Sequence, residues 1–91
     1  MAFRSVFAAA IGLLLSGCAG VQIPGSGSEG AQVFTARCGT CHATPHPARH
    51  SMTEWLQLLP LMDRRMSERG MPALDDEDRQ IIIAYLKKYA R

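Results

Sequence analysis

No stretch of this sequence alternates apolar and polar residues persistently enough to predict a strand, and no segment repeats another. The first absence excludes the βαβ surroundings that a thioredoxin-like thiol site needs, and the second excludes a repeat architecture. Charge of one sign is missing too. Ten Lys and Arg stand against eight Asp and Glu, a net +2, so there is no basic excess to support nucleic-acid binding. The longest apolar run, Val6 to Leu15, is too short to cross a bilayer as a helix. Cysteines number three, and an odd count leaves any single disulfide with a thiol to explain. At 91 residues the chain has room for one small domain.

What is present begins with an export signal. Arg4 supplies a positive n-region and Val6 to Leu15 an apolar h-region. The run closes on Leu15-Ser16-Gly17-Cys18, which resembles the bacterial lipobox. That resemblance implies that residues 1–17 are a lipoprotein signal peptide and that Cys18 becomes a lipidated mature N-terminus. The protein would then sit on the periplasmic side of a bacterial membrane, held by a lipid anchor. The alternative is an ordinary signal peptide that contains a cysteine. Residues 18–91 carry nine Lys and Arg against eight Asp and Glu once Arg4 is lost. Residues 19–28, small, polar and broken by Pro24, Gly25 and Gly27, read as a flexible stretch, so 18–28 forms a lipidated tether. Residues 29–91 remain for the fold. A domain of that size buries little apolar area and usually needs a staple, a metal or a cofactor.

Three helices are predicted, giving an all-α fold. The first spans about Gly30 to Arg37, with Ser28 as N-cap and Val33 and Phe34 as apolar positions. The second opens on a capping box, Ser51 with Glu54, flanked by His50 and Trp55 as a staple-like pair. Trp55, Leu59, Met62 and Met66 then follow on one helical face. Pro60 predicts a kink or break, because it lacks an amide donor and crowds Leu56. Gly70 and Pro72 end the segment. The third helix starts at Asp75, carries Asp76, Glu77 and Asp78 in its first turn and Lys87, Lys88 and Arg91 at its end, and buries Ile82, Tyr85, Leu86 and Tyr89.

The chemistry-bearing motif is Cys38-Gly39-Thr40-Cys41-His42, the C-x-x-C-H pattern of c-type haem attachment. Two thiols on a tight turn can add to two vinyl groups of one porphyrin. The next histidine is then held beneath the iron as a proximal ligand. This use takes up Cys38 and Cys41 and, with lipid on Cys18, leaves no thiol over. Two alternatives compete. A thiol redox pair lacks its βαβ frame, and a zinc site from Cys38, Cys41, His46 and His50 has only four residues between Cys41 and His46, short of a zinc finger's spacing.

With these residues in view, the chain over roughly 29–91 resembles the cytochrome c family. In that family a glycine and an aromatic on the N-terminal helix meet an aromatic on the C-terminal helix. Gly30, Phe34 and Tyr85, the last within Ala84-Tyr85-Leu86, match that pattern. The resemblance implies a cytochrome c-like three-helix domain around one covalent haem c. It implies a carrier, not an enzyme, that passes single electrons between a redox donor protein and an acceptor. It also asks for a sixth iron ligand. The interval from Trp55 to Met62 matches short relatives whose methionine comes seven residues after the tryptophan, which favours Met62. Met71-Pro72 is the family's more usual placement, and Met66, His46 and His50 are further candidates. An open sixth position would instead make the protein a haem sensor or peroxidase-like.

Overall fold

The computed structural model describes residues 21–91. The expected signal peptide at 1–17 and the expected lipidation site Cys18 therefore lie outside the described residues. Among those described, the chain is all-α: three helices and one 3-10 turn, with no strand. Helix α1 spans Glu29–Cys38, the 3-10 turn Pro47–Arg49, α2 Met52–Glu68 and α3 Asp76–Tyr89.

Each helix starts at a side chain that takes up an orphan backbone donor. Ser28 Oγ accepts from the Ala31 amide at 3.2 Å, and Asp75 Oδ1 accepts from the Asp78 amide at 2.7 Å. At α2 both halves of the capping box form: Glu54 N donates to Ser51 Oγ at 3.2 Å, and Ser51 N to Glu54 Oε1 at 3.3 Å. His50 meets Trp55 edge-on, with ring centroids 4.9 Å apart. The far end of α2 closes in a Schellman motif. Gly70 takes a φ of 71°, Gly70 N donates to Ser67 O and Met71 N donates to Met66 O. Glycine suits this point because a side chain strains the left-handed conformation.

The predicted kink or break at Pro60 is not a break, since α2 runs without interruption through it. Pro60 and Leu56 both lie on the exposed side of the helix. The carbonyl that loses its partner belongs to Leu56, which is 49% exposed, and water can satisfy a carbonyl on the solvent side, so the cost stays small enough for packing on the other face to carry the helix across.

The core is built where the three helices meet. Phe34 of α1 lies edge-on to Trp55 of α2, centroids 5.9 Å apart, and against Tyr85 of α3 at 5.2 Å. Leu59, Leu74, Ile82 and Leu86 fill the space around them. Helices α1 and α3 approach closely at Gly30, where an added Cβ would sit 2.9 Å from Tyr85 Cβ. The Trp55 indole donates to the Pro47 carbonyl at 2.7 Å, which fixes the 3-10 turn over the core.

The composition of residues 19–28 suggests a free tether, yet its last part is seated on α3. The Tyr85 hydroxyl donates to the Pro24 carbonyl at 2.7 Å, Ile23 packs against the core, and Gly25 takes a φ of 61° where an added Cβ would fall 2.7 Å from the Tyr89 hydroxyl. A Pro-Gly-Ser sequence describes a docked turn as well as it describes a linker.

Just past the end of α3, Arg91 meets the start of α2 in a charge cluster with a pH signature. Glu54 accepts from Ser51, contacts His50 Nδ1 at 3.1 Å and pairs with Arg91 at 2.8 Å. The His50 and Ser51 contacts, with a smaller pull from Arg91, hold its carboxyl down to about 2, below its usual 4.5. A depressed acid stabilises the fold above its unfolded pKa, and that contribution is lost as pH falls through the folded one. Thermal midpoints should therefore drop between about pH 5 and pH 2, and Glu54→Gln should flatten that part of the profile. An unchanged profile in the variant would remove Glu54 from the account.

Candidate functional site

The C-x-x-C-H segment begins on the last turn of α1 and leaves it in a tight wrap. Gly39 N donates to Thr35 O at 3.0 Å, and the Thr40 hydroxyl donates to Ala36 O at 3.0 Å. A Cβ at Gly39 would fall 2.6 Å from the Thr35 carbonyl oxygen and 2.4 Å from Thr44 Oγ1. Gly39 has an ordinary negative φ, so glycine is required here for room and not for conformation. This packing turns the chain back on itself between the two cysteines.

Cys38 is buried and Cys41 exposed, and no disulfide joins them. Burial pushes the Cys38 thiol up to about 11, against a weaker opposing pull from Arg37. A thiol so placed is protonated at neutral pH. That argues against a redox thiolate, whose nucleophilicity depends on a lowered pKa.

His42 is exposed, with Nδ1 2.9 Å from the Ala43 carbonyl. A carbonyl only accepts, so this contact requires the proton on Nδ1, and in the neutral ring that leaves Nε2 with its lone pair free. Metal-bound histidines are commonly held in this way, with one nitrogen anchored to the backbone and the other presented.

Both cysteines and His42 line a cleft of about 380 Å³ whose opposite wall is α2. Leu58, Leu61, Met62 and Met66 make that wall apolar. Arg37, Arg65 and Arg69 also line the cleft. Met62 is half-buried and Met66 is buried at 7% exposure. Met71 is not among the lining residues, though its sulfur lies 4.0 Å from Cys41 Sγ.

Cys38, Cys41, His42, Met62 and Met66 thus share one cleft. His46 and His50 do not line it. His46 caps the 3-10 turn, its Nδ1 accepting from the Ala48 amide at 3.0 Å, and His50 is taken up by Glu54 and Trp55. Among the described residues no three His, Cys, Asp or Glu side chains gather as a metal set. The sequence pattern did not single out the arginines or Leu58 and Leu61. Their signal was present, though: Leu58, Leu61, Met62, Arg65 and Arg69 recur at helical steps, a face that is apolar at its start and basic at its end and that adjoins the core stripe at Met62.

No protein-family model matches the chain, and comparison with curated proteins and with solved structures finds no similar one.

Proposed function

We propose that the protein is a small c-type cytochrome that carries single electrons, with haem bonded through Cys38 and Cys41. The observation that carries this reading is the shared cleft. Two reduced thiols and a histidine with a free Nε2 face an apolar wall that contains two methionine sulfurs. This donor set suits a low-spin haem iron, and the apolar walls with arginines nearby suit a flat hydrophobic ring bearing carboxylates. Bound haem would supply the one-electron couple. The chain's own part is to hold the ring edge at Cys38 and Cys41, orient His42 through Ala43, offer Met62 as the sixth ligand and exclude water with Leu58 and Leu61. Donor and acceptor would be other redox proteins.

The carrier and the sensor or peroxidase-like readings differ at the sixth position. An absorption spectrum of the oxidised and reduced protein, with and without carbon monoxide, separates them. A low-spin spectrum indifferent to the gas fits the carrier. A high-spin spectrum that changes on adding gas overturns that reading in favour of an open site.

The Leu15–Cys18 box supports export and lipid anchoring. Two or more acyl chains hold a protein far more firmly than one. Cys18→Ser should therefore release the protein from membrane fractions with its haem retained, and equal retention of the variant would remove the anchor from the account.

A further inference from the structure

We propose that Asp63 is a positioning residue that fixes the methionine-bearing wall of the cleft relative to the cysteine–histidine side. The inference rests on the haem-binding reading above. Asp63 follows Met62 directly and lies three residues before Met66, so whatever fixes Asp63 fixes the part of α2 that carries both cleft sulfurs. Its side chain is 19% exposed. One carboxylate oxygen accepts from the Leu74 amide at 3.2 Å, and the other pairs closely with the Arg79 guanidinium of α3.

The remaining link runs through the loop between α2 and α3. Arg37, the residue before Cys38, donates to the carbonyls of Pro72 and Ala73 at 3.3 and 3.0 Å, and its Nε lies 3.6 Å from Asp78. The loop is therefore gripped on one side by the neighbour of Cys38 and on the other by the neighbour of Met62. Among the described residues, beyond the capping bonds at its own end, α2 after Pro60 makes its polar contacts to the rest of the fold through Asp63. Arg65 pairs within the helix, with Glu68. Met62, packed against the core, and buried Met66 hold this half by apolar contact, but such contact is non-directional and tolerates small slides and rotations. The carboxylate bridge supplies the directional restraint, and a thioether ligand is sensitive to such shifts because it bonds the iron only when its sulfur is correctly aimed.

The test uses the full haem-loaded chain and reads the weak sulfur-to-iron charge-transfer band, the reduction potential, covalent haem content and thermal midpoint. Asp63→Ala should keep its haem, lose more than half of the band intensity and shift to lower potential. Asp63→Asn should lose less, because its amide oxygen still accepts from Leu74. Arg79→Lys, which preserves the charge, should stay near wild type, while Arg79→Gln should move with Asp63→Asn. Glu54→Gln serves as the control, since it lowers stability at the start of α2 and should leave band and potential alone. Full band and unchanged potential in Asp63→Ala, Asp63→Asn and Arg79→Gln, with only the thermal midpoint lowered, would overturn the proposal. So would a wild-type protein that holds haem without the band, since no methionine would then need positioning; a wild-type protein without covalent haem would overturn the underlying haem reading as well.

Discussion

Replacing Cys38 and Cys41 together with alanine is expected to yield a chain without haem and without a cooperative thermal transition. The buried residues Phe34, Trp55, Leu59, Ile82, Tyr85 and Leu86 form one small core at the junction of three helices. A domain of about 60 residues buries only about 60% of the surface its unfolded chain exposes, which leaves it marginal without a further staple. Here the deficit is visible in the structure. Leu58, Leu61 and Met62 line the cleft, Leu58 and Met62 are only partly buried where they pack against the core, and Leu61 is 37% exposed. A covalently held ring would cover this wall and tie it to the end of α1. Circular dichroism melts of the haem-free variant should slope without a sigmoid. A sharp transition near that of the wild type would mean the three-helix core suffices alone.

Met62→Ala is expected to abolish the thioether–iron bond, whereas Met71→Ala should affect packing alone. The candidates differ in placement. Met62 lies half-buried on the cleft wall, and Met66 is more deeply seated in packing. Met71 lies with its sulfur against Cys41, at the attachment edge, while the iron would occupy the ring's centre. Loss of a soft sulfur donor destabilises ferrous more than ferric iron. The potential should fall by on the order of a tenth of a volt, a modest part of the ~0.8 V range that axial ligands command. The charge-transfer band should vanish with it. Survival of the band in Met62→Ala and its loss in Met71→Ala would move the ligand to the Met71-Pro72 position.

Much of this architecture is legible in the residues because it is local. Ser28, Ser51 and Asp75 mark helix starts by chemistry that acts within three residues, and Gly70 marks a helix end in the same way. The meeting of Gly30, Phe34 and Tyr85 was expected from a family resemblance, and the structure brings these residues into contact. What stayed illegible depends on distant partners. Pro60 breaks a helix or spares it according to which side faces water. The turn at Pro24 is held by a hydroxyl 61 residues away. The bridge from Asp63 to Leu74 and Arg79 has no sequence signature, because an aspartate on an amphipathic helix reads as a solvated face until the third helix is packed beside it. Local pattern likewise proposed Met62, Met66 and Met71 alike, and only the folded chain separates their surroundings.

The central claim is that haem is bonded to Cys38 and Cys41, and the most direct measurement is the intact mass of the exported protein after denaturation and acid extraction of loose haem. The account predicts a species heavier by one haem than the mature, lipidated polypeptide, with no titratable thiol at either cysteine and the added haem mass lost in the double alanine variant. A species without that haem mass and with both thiols free, isolated from cells competent to attach haem, would contradict it.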